Sequence, residues 1–195
     1  MSRSAEITRT TGETDIRLSL SLDGSGTGTR ETGIGFFDHM LDALARHGAL
    51  DLDVEARGDL ETGAHHTVED TGIALGRALD EALGDRVGIT RFGHASVPMD
   101  EALASASIDV SGRPYTRLVA AFPEAAIGGF DTDLVEEFFR AVAGAAKLTL
   151  HLEVEAGTNA HHMVEAAFKA FARALRTASA IDPDESGIPS TKGLL

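Results

Sequence analysis

The chain has 195 residues, 43% of them hydrophobic, which is enough apolar material for one domain with its own core or two very small ones. It carries no cysteine, so disulfides and thiolate zinc sites are excluded, and a formal net charge of -14 argues against nucleic acid or an anionic membrane as the main partner. A small anionic substrate stays compatible with that charge, provided Arg and Lys gather locally against the overall field.

The N-terminal MSRSAEITRT has no apolar h-region, and no stretch approaches the roughly 20 apolar residues that cross a bilayer, so the sequence reads as a soluble, cytoplasmic protein. ETDIRLSLSLDG (13–24) alternates and ends on Gly, as a strand and its turn do. GFFDHML (35–41) follows as a helix, and LDLDVE (50–55) as a second strand. HHTVEDTGIALGRALDEAL (65–83) is a helix whose Val68, Gly72, Leu75 and Leu79 share one stripe. DEALGDRVGITRFG (80–93) reads as that helix's end and a linker. The same order then returns: EALASASIDVSG (101–112), EFFRAVA (137–143), LTLHLE (148–153) and HHMVEAAFKAFARALRTAS (161–179), the last with Val164, Phe168, Phe171 and Leu175 on one stripe. The offsets between paired segments lie between about 88 and 102 residues, which marks an internal duplication with sparse identities. Each half reads strand, Gly turn, helix, strand, loop, helix. The tail DPDESGIPSTKGLL (182–195) is punctuated by Pro and Gly and reads as irregular.

Each long helix opens on the same pattern, His-His-x-x-Glu: TGAHHTVED at 62–70 and TNAHHMVEA at 158–166. On a helix, residues i and i+4 share a face while i+1 turns by about 100°. His65 therefore points with Glu69 and His161 with Glu165, while His66 and His162 point elsewhere. A His/Glu pair at this spacing is half of a site for Mn, Fe or Zn, and the adjacent histidine is free to serve a second ion. A lone copy is most simply a helix start with solvated histidines. Two copies at matching places favour metal, and six of the eight histidines lie in these motifs, in FFDHM (His39) or in LTLHL (His151). One copy offers two ligands per direction. Two copies, brought together by pseudo-symmetry or by a neighbouring subunit, can build sites with four or more.

FFDHMLDALARHG, GDLETGAHHTVEDTGIALGRAL, RFG, SGRP, LTLHLE, AHHMVEAAFKAFARALR and IPSTKG, in that order, resemble the imidazoleglycerol-phosphate dehydratase family, from about Glu13 to Lys192. The resemblance implies an α+β fold of two similar halves, about 8–90 and 91–182, each with a small mixed sheet and two helices, plus a tail at 183–195, with no room for a second catalytic domain. It implies dehydration of imidazole-glycerol phosphate to imidazole-acetol phosphate in histidine biosynthesis, manganese as cofactor, and trimers assembled into a 24-mer with active sites between subunits. The metal ligands it implies are His39, His65, His66, Glu69, His151, His161, His162 and Glu165. Taken alone, His39 and His151 would read as packed core histidines. Glu13, in an ET motif, is the implied acid/base, reaching into a neighbour's site; Glu165 shares proton duty while binding metal. Arg91, Arg113, Lys169, Ser190, Thr191 and Lys192 are the implied phosphate donors, with Glu13, His39 and His47 also contacting substrate, Asp42 beside them and His94 structural. The family often has proline where this chain has Gly35.

The expected chemistry is expulsion of the hydroxyl beside the ring from a metal-bound imidazolate, through a diazafulvene-like intermediate, then loss of the neighbouring carbon proton and tautomerisation to the ketone. Because neighbouring histidines on one helix diverge, two ions per site are expected with crossed allegiance: His65 and Glu69 with His162, and His161 and Glu165 with His66, His39 and His151 completing one each. Two other readings fit less of the sequence. A metal-storage protein leaves the basic STKG tail unexplained, and a binuclear hydrolase of phosphate esters does not require duplicated histidine pairs.

Overall fold

The computed structural model describes residues 3–195. The first half runs β1 (Ser4–Thr10), β2 (Thr14–Ser21), β3 (Arg30–Glu31), α1 (Gly35–Gly48), β4 (Asp51–Gly58), a 3₁₀ turn at Leu60–Thr62 and α2 (His65–Leu83). The second runs β5 (Phe92–Met99), β6 (Ala102–Asp109), β7 (Tyr115–Val119), a small hairpin of β8 (Ala126–Ile127) and β9 (Phe130–Asp131), α3 (Leu134–Ala146), β10 (Thr149–Ala156) and α4 (Ala160–Ser179). The two main sheets have matching orders, β1-β2-β4-β3 and β5-β6-β10-β7. In each, two antiparallel pairings are followed by one parallel pairing. The fold is thus a duplicated α+β unit with two mixed sheets and two helices per half.

Alternation explains the strands. In β2, Ile16, Leu18 and Leu20 face the core while Asp15 and Arg17 face solvent; in β10, Leu150 and Leu152 face in and His151 faces out. The edge strands β1 and β5 are harder to find in the sequence because they bury little. Ile7 is the one fully buried residue of β1, and the inward residues of β5 are Gly93, Ala95 and Val97. β5 begins at Phe92, so the linker read at 80–93 ends in a strand.

One pairing between the halves shifts. Ala49 and Lys147 cap α1 and α3 with the same left-handed backbone, φ 53° and 57°. In both places the next residue's N–H returns to a carbonyl five residues back, Leu50 to Ala45 and Leu148 to Ala143. These caps bring the helices into register at an offset of about 98, so GFFDHML does not lie over EFFRAVA but about one turn earlier. A shift of one turn keeps the apolar face, which is why the pattern alone allows both alignments.

The helices cross between halves. α1 packs on α4, and α3 packs on α2. The contact is close at Gly76, where a Cβ would stand 2.5 Å from the Val142 carbonyl oxygen, so α2 and α3 meet backbone to backbone with no room for a larger residue. Between the helices, Phe37, Phe130, Phe138, Phe139, Phe168 and Phe171 are wholly buried, with ring centroids 4.8–5.9 Å apart along the chain of contacts. Each such ring contributes about 1.5–3 kcal/mol of transfer free energy. One continuous core therefore joins the halves. None of the described helices is long and apolar enough to cross a membrane.

Candidate functional site

The second His-His-x-x-Glu motif occupies the first turn and a half of α4. Asn159 caps that helix, its side-chain oxygen accepting the N–H groups of His161 (2.9 Å) and His162 (3.3 Å). Helical spacing sets His161 Nε2 3.2 Å from Glu165 Oε2. The parallel helix α1 adds His39, whose Nε2 lies 3.5 Å from the same oxygen. Its start is fixed by Asp38, which accepts the N–H (2.9 Å) and the hydroxyl (2.6 Å) of Thr32. Phe36 supports the pair, its ring 5.0 Å from His161 and 6.4 Å from His39. The ligand atoms of His39, His161 and Glu165 all lie within 4.8 Å of one another, the one such group of three among the described residues.

Glu165 is buried, and its second oxygen, Oε1, is 2.6 Å from Lys169 Nζ. Burial pushes this carboxyl up. The hydrogen bond and charge of Lys169, joined by the charge of His39, outweigh burial and hold it below its ordinary value. It is a carboxylate at neutral pH. His47, in the last turn of α1, is pushed down by burial and then by the charges of Lys169 and Arg173, with Glu165 opposing.

The first motif is more open. His65 Nε2 and Glu69 Oε2 stand 3.5 Å apart with both side chains about half exposed. His66 turns away as helical geometry requires, its ring nearly perpendicular to that of His65. Its Nδ1 meets the Asp59 carboxylate at 3.0 Å, and its Nε2 lies 3.6 Å from Glu13 Oε1. In the second motif His162 meets Glu101 through Nδ1 at 2.7 Å. The hydrogen bond that His66 donates to Asp59 raises its pKa, and that donated to Glu101 raises the pKa of His162. The same bond with His162, then the backbone of Thr158, lowers Glu101 to about 2. Asp59 and Glu101, which hold the second histidine of each motif, are residues to which the sequence pattern assigned no role. Glu101 stands over Glu13 in the aligned EALASASIDVSG and ETDIRLSLSLDG, which was the available signal.

The remaining residues lie elsewhere in the chain. His151 sits on the outer face of β10, opposite the face α4 covers, with the Tyr115 ring 5.6 Å away. Arg91 bonds Asp109 through Nε (2.7 Å) and Nη2 (3.2 Å), and donates through Nη1 to the Pro189 carbonyl at 2.7 Å. The tail then runs past Ser190, whose hydroxyl accepts the Lys192 N–H, to Leu195 against Gly112, beside Arg113. Thr191 and Lys192 are exposed. Arg91, Arg113 and the tail thus form one neighbourhood, at the far end of α4, since the Arg91 N–H bonds Ala178. From His161 to Ala178 is about 25 Å along the helix. Asp42 pairs with Arg30 at 2.7 Å, and His94 bonds Ser107 across β5 and β6 at 3.0 Å. Within one chain, the metal-capable cluster and the basic tail do not meet.

The family model described as imidazoleglycerol-phosphate dehydratase matches residues 32–175. An imidazoleglycerol-phosphate dehydratase of Gluconacetobacter diazotrophicus is 60% identical over 194 residues, 99% of this chain and 98% of the relative. The one of Gluconobacter oxydans is 57% identical over 195 residues, 100% of this chain and 98% of the relative. Among solved structures, imidazoleglycerol-phosphate dehydratase from Staphylococcus aureus superposes with a TM-score of 0.84 at 42% identity, over 92% of this chain and 99% of that one. The enzyme from Pyrococcus furiosus, solved with (S)-C348, gives 0.84 at 40% identity over 97% and 100%.

Proposed function

This chain belongs to the imidazoleglycerol-phosphate dehydratase family, the hydro-lyases of histidine biosynthesis, and on that premise we propose that it dehydrates its substrate with two divalent ions, manganese for preference, at a site completed by neighbouring copies of itself. The observation that carries the metal reading is the convergence of His39, His161 and Glu165, three donors from two helices of different halves. Two imidazoles and a carboxylate suit a borderline divalent cation, and three protein donors leave positions for substrate. His161, Glu165 and His39 hold one ion in this reading. His65 and Glu69 are half of the site for the other. His66 and His162 diverge from the pairs beside them, and His151 lies on the outer face of β10; in this reading they serve ions shared with other chains, in the crossed arrangement. When bound, the ions supply Lewis acidity at the nitrogens of the substrate's imidazole ring.

The chain's own residues account for the rest. Glu165 stays ionised because Lys169 bonds it, so it can act as a ligand and steady a proton in transit at the ring end of the substrate. Glu13, exposed and 3.6 Å from His66 Nε2, is the free carboxylate for taking the carbon-bound proton that accompanies loss of hydroxide. The enol so formed becomes the ketone when the carbon that lost hydroxide takes up a proton and the enol O–H gives up its own, and one proton leaves with the hydroxide as water. Arg91 uses three of its five N–H donors on Asp109 and Pro189, leaving two for a phosphate beside Ser190, Thr191, Lys192 and Arg113. Since these lie about 25 Å from His161 in one chain, one copy's tail closes over another copy's ions. That is the argument for an oligomer, a trimer-based 24-mer in this reading, in the cytoplasm. One assay tests it: imidazole-glycerol phosphate with and without manganese. Ketone product that depends on metal supports the dehydratase, whereas free phosphate or no product overturns it.

A further inference from the structure

The two halves hold their second histidines by different residues, and we infer that Glu101 and Asp59 are positioning residues that fix the proton of His162 and of His66 on Nδ1, so that Nε2 is the nitrogen offered to metal. The inference rests on the metal reading above and goes beyond it to residues outside the ligand set. Glu101 lies in the β5–β6 turn. Its Oε1 accepts the N–H groups of Thr158 (3.1 Å) and Asn159 (2.9 Å), and its Oε2 faces His162 Nδ1 at 2.7 Å. A carboxylate only accepts, so Nδ1 carries a hydrogen, and in the neutral ring, the form that binds metal, Nε2 has the lone pair. Among the described residues, that Nε2 is otherwise approached by Asp100, at 3.9 Å. In the first half, Asp59, just after β4, performs the same task with both oxygens 3.0–3.1 Å from His66 Nδ1.

The change of partner has a structural cause. By the offset of about 98 that aligns β4 with β10, Gly157 stands where Asp59 stands. Gly157 has φ 150°, and a Cβ there would come within 2.2 Å of Met163 Cγ, so the second half has no room for a side chain after its strand. The β5–β6 turn supplies Glu101 instead. In the first half the matching turn carries Glu13, which Asp59 relieves of that duty. Glu13 keeps a side chain 56% exposed and only a 3.6 Å approach to His66. The duplication has thus separated one role into two: a glutamate that holds a ligand in one half and a glutamate left free for proton transfer in the other.

Glu101→Gln is the sharp test. The amide oxygen stays on Thr158 and Asn159, because only it accepts, and the NH₂ then faces His162 Nδ1. That forces the His162 hydrogen onto Nε2, where it blocks metal. The full-length variant should still fold, losing only the stability that the depressed Glu101 carboxyl adds, bind Mn²⁺ 10- to 100-fold more weakly by titration, and, in ¹⁵N solid-state NMR of the metal-free protein, show one fewer histidine protonated at Nδ1. Asp59→Asn should lose less, since its amide can turn its oxygen to His66. Wild-type Mn²⁺ affinity and an unchanged histidine spectrum in Glu101→Gln would overturn the inference. If the wild-type protein binds no Mn²⁺, the proposed function falls, and the NMR comparison still decides whether Glu101 sets the tautomer.

Discussion

The two His-His-x-x-Glu motifs have one sequence pattern and two environments. In the second, Glu165 is 9% exposed, bonded to Lys169, and joined by His39 from the other half. In the first, Glu69 is 43% exposed, and among the described residues no third metal-capable group converges on it. The aligned position of His39 in α3 is Glu137, which pairs with Arg140 at 3.3 Å instead. A repeated motif therefore does not give a repeated site. The second brings three metal-capable side chains together within one chain, whereas the first brings together only His65 and Glu69.

The largest expected effect lies at the finished site. Glu165→Gln should lower kcat by about 10²–10⁴-fold, because it removes a ligand and a proton carrier together. Steady-state assay with manganese in excess checks it; a loss under tenfold would mean the buried carboxylate is only structural. Next, His39→Ala should weaken Mn²⁺ binding by roughly 100-fold or more at one class of site and leave the other class unchanged. Equal weakening at both classes in a metal titration would erase the distinction between the motifs. If the tail holds the phosphate as proposed, deleting residues 186–195 should cost about 10- to 100-fold in kcat/KM with metal content constant, since charge-assisted donors and no ligand would be lost. Loss of metal in that truncation would tie the tail to the ions.

The smallest effect is on acid stability and separates the halves. The backbone N–H groups of Ser25 and Thr27 lower Asp51 to about 2, from an ordinary 3.8. A depressed carboxyl stabilises the fold above its unfolded value and loses that contribution as pH falls through its folded one. The aligned residue in the second half, Thr149, has no charge to lose. Asp51→Asn should therefore flatten the fall in stability of metal-free protein between about pH 4 and pH 2, as followed by circular dichroism. An unaltered slope would remove Asp51 as its source.

Much of this was legible in the sequence. The 3.6-residue stripes of Val68 and Leu75, and of Val164 and Phe168, gave α2 and α4 outright, and alternation gave β2, β4, β6 and β10. The edge strands were not legible, because SAEITRT buries one residue and FGHASVPM only small ones. Helical spacing paired His161 with Glu165, since that contact lies within one helix. It had no means of choosing the ion for His39, which depends on how α1 crosses to α4. Nor could it assign Asp59 and Glu101, whose roles arise from turns brought beside the helix starts by the sheets.

The exchange of helices between halves also bears on ancestry. A chain ending near Leu83 would have α1 and α2 but neither α4 nor α3 to cover them, leaving Phe37 and its neighbours in water. Two separate copies of such a unit would cover those faces if each lent a helix to the other. Fusion of such a pair releases the two copies of each position to diverge, and His39 facing Glu137's place is what that freedom looks like. The halves made as separate polypeptides should accordingly be insoluble alone and recover the fold when expressed together.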